Sequence, residues 1–250
     1  MNHDDLTVLR LGWPVSNVWL LPGSEADSGP SRAGAGLNNG PVLIDCGFPA
    51  LWPALRLGLR RFGLRPEQLG AVVLTHRHSD HAGNAIRLNQ RYGVPIFAHA
   101  ADAAVLRRTA PRRPMATPLN LGGGIARIEN LVRPRLDTVR PLEAGEVIAG
   151  LEVIWTPGHT EGSAFLYHRP SGALFSGDTL LNAIPPSTAR TGLCLPYPLY
   201  CVDHGRALRS LANFLARELP VRTLYAGHGP LRQGPIQAPL ARLLDAAWSS

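Results

Sequence analysis

The chain contains no lysine; all 25 of its basic residues are arginine. Schiff-base chemistry and a lysine general base are therefore excluded. Cysteine is scarce as well. Cys46, Cys194 and Cys201 form no CxxC pair, and an odd count without a secretory leader points to reduced thiols rather than a disulfide framework. Cys46 follows the apolar run Val42-Leu43-Ile44 and reads as a small buried residue; none of the three is expected to act as a nucleophile. No stretch approaches the roughly 20 consecutive apolar residues that a membrane-spanning helix needs. The opening residues, Met1-Asn2-His3-Asp4-Asp5, are polar and acidic, with no apolar segment and small-residue cleavage site behind them. A cytoplasmic protein is expected. Charged residues make up only 17% of the chain, with a formal charge of +7. That sign suits an anionic substrate, but the arginines are dispersed, with doublets only at Arg60-Arg61, Arg107-Arg108 and Arg112-Arg113. Aromatic–basic repeats of the kind that stack single strands are missing. The expected partner is a small molecule, not nucleic acid and not a membrane; the sequence leaves the oligomeric state open, a homodimer included.

What the chain does have is 45% hydrophobic residues over 250 positions, enough to bury the core of one large α/β domain spanning residues 1–250. Residues 15–21 and 41–46 read as short strands. The segment between them, 22–40, is rich in Gly, Ser, Asn and Pro and reads as a flexible insertion. Leu51, Leu55, Leu59 and Phe62 recur at helical spacing, and Ala71-Val72-Val73-Leu74 is a continuous apolar run of the buried-strand type. A helix over 84–92 and a strand over 95–98 follow. Residues 109–124, dense in Pro, Arg and Gly, are expected to form a loop. Strand patterns then recur at 145–148, 151–155, 164–167 and 173–175. The stretch 182–201 has no period of its own, and the chain closes with a helix at 204–218, a strand at 223–225 and a helix at 236–247. No internal repeat is visible.

The chemistry concentrates in Thr75-His76-Arg77-His78-Ser79-Asp80-His81, directly after the apolar run. Three imidazoles and a carboxylate in six residues would repel one another once the histidines were protonated; they make sense together if a cation organises them. In an extended turn His76 and His78 point the same way, with Asp80 and His81 one turn further, which permits two pairs of ligands for two neighbouring ions. His159 in Pro157-Gly158-His159, Asp178 in Ser176-Gly177-Asp178 and His228 in Ala226-Gly227-His228 each follow a strand-like run with a glycine alongside.

On these motifs, His-x-His-x-Asp-His at 76–81, Gly-His at 158–159, Gly-Asp at 177–178 and Gly-His at 227–228, the chain resembles the metallo-β-lactamase superfamily, in its glyoxalase II-like hydrolase branch. The resemblance covers about residues 15–230. It implies a four-layer αββα sandwich with the metals at one edge between two sheets. It further implies that His76, His78 and His159 hold one ion, that Asp80, His81 and His228 hold the other, and that Asp178 bridges them. Asp45, in Ile44-Asp45-Cys46-Gly47, matches a family aspartate that orients a ligand imidazole from behind; a turn-capping aspartate is the alternative reading. The implied activity is hydrolysis by a hydroxide shared between two divalent ions. Zinc suits the imidazoles, and the mixed N/O set also accepts iron or manganese. Asp80 is a candidate to pass a proton to the leaving group.

Narrowing the substrate relies on departures from the family's branches. The β-lactamases lack the bridging aspartate and are normally exported. Glyoxalase II continues with a helical glutathione-holding domain, whereas this chain ends 22 residues after His228. It also has Leu181-Asn182-Ala183-Ile184-Pro185-Pro186 where glyoxalase II and persulfide dioxygenases carry a Gly-x-Gly-Arg-like loop. Many homoserine-lactone lactonases have Tyr where Leu181 stands here. A small ester, thioester or lactone is the leading substrate class. The alternatives are an iron-dependent persulfide dioxygenase and a phosphodiesterase or nuclease. The segment 182–201 is expected over the metals, which makes Arg190, Tyr197 and Tyr200 candidate substrate contacts, with Arg112 and Arg113 in the other long loop beside them.

Overall fold

The computed structural model describes residues 7–11, 16–22, 37–38, 40–115, 118–119, 121–131, 135–183 and 191–249. Most of the 22–40 insertion therefore lies outside the described residues. The first half runs β1 (Leu9–Arg10), β2 (Trp19–Leu21), β3 (Val42–Ile44), α1 (Trp52–Arg61), β4 (Ala71–Leu74), α2 (Ser79–Ala82), α3 (Ala85–Tyr92), β5 (Ile96–His99), α4 (Ala100–Leu106), α5 (Leu121–Leu131) and β6 (Arg140–Leu142). Its strands form one six-stranded sheet in the order β1-β2-β3-β4-β5-β6, antiparallel as far as β3 and parallel from there on.

The second half contributes β7 (Val147–Ile148), β8 (Leu151–Trp155), β9 (Ala164–His168), β10 (Ala173–Gly177), β11 (Leu181–Ala183), β12 (Thr191–Cys194), α6 (His204–Leu215), β13 (Thr223–Ala226), β14 (Arg232–Gln233) and α7 (Gln237–Trp248). The second sheet is ordered β14-β13-β10-β9-β8-β7, with β11 and β12 as a separate hairpin pair.

Side-chain alternation assigns the layers. Along β4, Val72 and Leu74 face a cluster shared with Leu55 and Leu59 of α1, Leu88 of α3 and Leu106 of α4. Ala71 and Val73 face the opposite way and pack against Val153, Leu166 and Phe175 of the second sheet. That sheet's outer face sends Ile154, Phe165 and Leu174 against Leu211 and Phe214 of α6 and Leu240 of α7. Each sheet is thus buried on both sides at its centre, so central strands such as β3, β4 and β5 read as continuous apolar runs. The result is the αββα four-layer sandwich.

Two expectations need correction. The loop expected over 109–124 ends in a helix, α5, whose first turn carries Gly122, Gly123 and Gly124. Glycine costs about 1 kcal/mol per residue relative to alanine within a helix, which hides such a segment from propensity reasoning. Gly123 is required by packing, because a Cβ there would strike the Pro118 carbonyl. The stretch 182–201 is not wholly irregular either: Leu181 pairs with Cys194 and Ala183 with Thr191. The seven-residue α4 also has no counterpart in the sequence reading; His99 caps it by accepting from the Ala101 N–H at 3.3 Å. Among the described residues no helix is long and apolar enough to cross a membrane.

Candidate metal centre

Four loops meet at one edge of the sandwich. The first leaves β4 at Thr75, whose carbonyl accepts from the Ala164 N–H of β9 at 2.9 Å, tying the two sheets together beside the cluster. His76 follows Thr75 out of the strand, and His78, on extended backbone, becomes the N-cap of the one-turn helix α2. That change from extended chain to helical turn sends Asp80 and His81 to a different position from the first two imidazoles. His159 sits in the turn after β8, Asp178 directly after β10, and His228 two residues after β13. Gly227 permits the last approach: a Cβ there would collide with Asp178 and His81. Gly158, at φ +137°, lies so close to α6 that a Cβ would strike the Ala207 backbone.

The seven side chains form two groups, His76, His78 and His159 in one and Asp80, His81, Asp178 and His228 in the other. Within each group the donor atoms lie within 4.8 Å of one another. The groups adjoin, with the His76 and His81 ring centroids 4.1 Å apart. Asp178 faces both: Oδ1 is 3.2 Å from His81 Nε2, and Oδ2 is 3.1 Å from His228 Nε2 and 3.7 Å from His159 Nε2. Asp80 Oδ2 is 3.3 Å from His228 Nε2 and 3.5 Å from His81 Nε2, and at 25% its side chain is the most exposed of the set.

The far side of the imidazoles is held as well. Asp45 Oδ2 accepts from His81 Nδ1 at 2.7 Å and from Thr75 Oγ1 at 2.8 Å, while Oδ1 accepts from the Thr75 N–H at 2.8 Å. Thr75 Oγ1 in turn is 3.1 Å from His76 Nδ1. Among the described residues, the Nε2 atoms of His76, His78, His81 and His159 are buried and make no hydrogen bond, and neither does Asp178 Oδ1. Each buried polar atom without a partner costs about 1–3 kcal/mol. Five of them converging on one spot is the arrangement that a cation satisfies, and the N/O donor set fits divalent metal ions.

The electrostatics divide the same way. Burial, reinforced by neighbouring imidazoles, lowers His76 and His78 well below the ordinary histidine value and His159 to about 4. Burial also acts to lower His81 and His228, but the carboxylates of Asp178 and Asp80 outweigh it, raising His81 well above its usual value and His228 to about 10. Burial raises Asp178, yet His228 and His81 more than offset this and hold its carboxyl well below the usual range.

Several supporting residues escaped the sequence reading because their partners are distant in sequence. Asp102 of α4 accepts from the Arg77 N–H at 2.8 Å, Thr160 Oγ1 at 2.7 Å and the Gly162 N–H at 2.8 Å, so one buried carboxylate braces both histidine loops. The only sequence signal is a lone charge in the run Ala100–Leu106. Glu129 of α5 accepts from the Ser79 N–H at 3.0 Å and from Arg112 at 2.5 Å, which engages Arg112 in bracing the site. The Arg113 backbone N–H donates to Glu161. Of the candidate substrate contacts, Arg190 lies outside the described residues. Tyr197 and Tyr200 share a short 3-10 turn, with ring centroids 5.5 Å apart. Tyr200 is near enough to feel Asp80: burial raises its phenol, and the Tyr197 and Asp80 charges add to the rise.

A family model described as the metallo-beta-lactamase superfamily matches residues 36–228. The probable metallo-hydrolase YflN of Bacillus subtilis is 30% identical over 75% of this chain and 75% of its own length. The acyl-coenzyme A thioesterase MBLAC2 of Gallus gallus is 30% identical over 67% of this chain and 58% of its own. Among solved structures, the metallo-beta-lactamase family protein TTHA1429 from Thermus thermophilus is 26% identical with a TM-score of 0.66, over 98% of this chain and 79% of that one. TTHA1623, in a di-iron-bound form, is 28% identical with a TM-score of 0.58, over 91% and 94%. With its four-layer sandwich and its two adjoining His/Asp groups, the chain belongs to the metallo-beta-lactamase superfamily of metal-dependent hydrolases.

Proposed function

We propose that the protein hydrolyses a small ester, thioester or lactone with two divalent ions. His76, His78 and His159 would hold one, Asp80, His81 and His228 would hold the other, and Asp178 would serve both. The observation that carries this reading is the position of Asp178 between the two groups, with one oxygen toward His81 and the other toward His228 and His159. Zn2+ is the expected metal from the imidazole content, and the carboxylates also accommodate iron or manganese.

Divalent ions held there would supply Lewis acidity toward a water and a substrate carbonyl oxygen. The chain's own residues do the rest. Asp45 and Thr75 keep His81 and His76 with Nδ1 turned away from the cluster, so the ligating nitrogens need no rearrangement. Asp80 has Oδ2 committed to His81 and His228; its Oδ1 is the atom assigned to take a proton and return it to the leaving group. Tyr197, Tyr200 and Arg190 are the proposed substrate contacts. The avian relative named as an acyl-coenzyme A thioesterase supports a thioester within this class.

The test is a panel of thioesters, esters, lactones and bis-p-nitrophenyl phosphate on metal-reconstituted protein, with oxygen uptake followed in parallel and His76→Ala as control. Turnover of an acyl substrate that His76→Ala abolishes supports the reading. Oxygen consumption without hydrolysis, or turnover of the phosphodiester alone, replaces it with a dioxygenase or a phosphodiesterase.

A further inference from the structure

The imidazoles with an identified partner behind the ring do not share the same kind of partner. His81 has a carboxylate, Asp45, at 2.7 Å, and His76 has a hydroxyl, Thr75, at 3.1 Å. His159 has a thiol: Cys201 Sγ lies 3.7 Å from its Nδ1. That contact comes from a built junction. The Val202 N–H donates to the His159 carbonyl at 3.1 Å and the Asp203 N–H to the Gly158 carbonyl at 2.9 Å, so the two segments run alongside each other. The thiol hydrogen is already committed, since Cys201 Sγ donates to the Tyr197 carbonyl at 3.5 Å. With its hydrogen on that carbonyl the sulfur offers only lone pairs to His159, and the arrangement that satisfies both contacts has the ring presenting its Nδ1–H. This leaves Nε2 unprotonated, buried and without a partner, facing Asp178.

Resting on the two-ion reading above, we propose that Cys201 is a positioning residue: it fixes the tautomer of His159 and ties that ligand to the turn carrying Tyr197 and Tyr200. Its sulfur is a weaker and more distant acceptor than the carboxylate behind His81, so the His159 ring is the less firmly held ligand and its half of the centre is the looser one. The same thiol joins the ion site to the aromatic lip, which makes a change at Cys201 register in substrate affinity as well as in metal affinity.

The test compares wild type, Cys201→Ala and Cys201→Ser. Zn2+ affinity is measured by chelator competition, and the His159 imidazole of the metal-free protein is followed by 15N NMR. Wild type is expected to bind two ions with unequal affinity and to show His159 as the Nδ1–H form. Cys201→Ala should weaken the looser site by roughly tenfold, the lower end for loss of a residue that orients a ligand, and should mix the His159 tautomers. Cys201→Ser restores an acceptor and should recover most of both signals. Partial restoration with Ser separates a positioning role from simple loss of packing, and metal-free thermal unfolding of the three proteins checks folding independently. If Cys201→Ala folds, binds both ions as wild type does and keeps one His159 tautomer, the inference is overturned. If wild type itself binds no second ion, it is the two-ion reading that fails instead.

Discussion

Replacing Asp45 by Asn keeps the size of the side chain and tests its hydrogen bonds alone. Asp45 has φ +61°, a left-handed conformation that asparagine also tolerates, so backbone strain does not confuse the result. Its two oxygens accept from three donors, the Thr75 N–H, the Thr75 hydroxyl and His81 Nδ1. An amide offers one oxygen and one NH2 group. Turned one way, its NH2 faces the Thr75 N–H. Turned the other, it faces His81 Nδ1, and the ring satisfies it only by moving its proton to Nε2, the nitrogen that faces Asp178 and Asp80. Both outcomes carry a penalty. Residues behind a ligand histidine typically contribute 10–100-fold in metal affinity, or about 1.4–2.7 kcal/mol. If the first orientation is adopted, a buried unsatisfied donor costs about 1–3 kcal/mol of stability, at roughly 2–4 °C of Tm per kcal/mol for a chain of this size. Chelator competition measures the first effect and thermal unfolding of the metal-free protein the second. In a His81→Ala background Asp45→Asn should add little to the loss of metal affinity, because the two act through one interaction. An Asp45→Asn protein with wild-type metal affinity and unchanged Tm refutes the reasoning.

Three further outcomes follow from single contacts. Asp102→Ala frees three buried donors in the two histidine loops, while Arg77 keeps Glu161 at 2.7 Å; a loss of about 1–3 kcal/mol for each donor left unsatisfied is expected, read by denaturant unfolding, and a total loss below about 1 kcal/mol contradicts the bracing role. Gly227→Ala puts a methyl group against Asp178 and His81, so metal content should fall while Gly124→Ala, where a Cβ meets nothing within 4 Å, leaves it unchanged. His99 is stacked on Trp155, with centroids 5.1 Å apart, and burial lowers it to about 4. The unfolded chain therefore takes up this proton first, and the contribution of His99 to stability is intact above about 6.5 and lost as pH falls toward 4. His99→Gln should flatten the stability profile in that window relative to wild type, and an unchanged slope counts against a buried neutral ring.

The parts of the fold legible in the sequence are those written in contiguous residues. Ala71–Leu74 is a strand flanked by its histidine motif, and α1, α6 and α7 carry their own apolar spacing. The metal-ligand candidates were legible for the same reason, since four of them stand within six residues after a strand and His159, Asp178 and His228 each follow a strand with a glycine alongside. What was hidden depends on contacts across the fold. Nothing near Asp102 in sequence announces Thr160 and Gly162 as its partners, and Glu129 reaches Ser79 only because α5 forms despite its glycines. Cys201 read as an inert thiol, and burial does push it up to about 12. Its place against His159 appears only when residues 201–203 are laid along the Gly158 turn.

The central claim is that His76, His78, Asp80, His81, His159, Asp178 and His228 form one centre for two ions. Counting metal per chain in reconstituted wild type, His78→Ala and Asp178→Asn by mass spectrometry of the elements tests it most directly. Two ions are expected in wild type, about one in His78→Ala, and weakened retention of both in Asp178→Asn. A wild-type protein that saturates at one ion, or an Asp178→Asn protein that retains two as firmly as wild type, contradicts it.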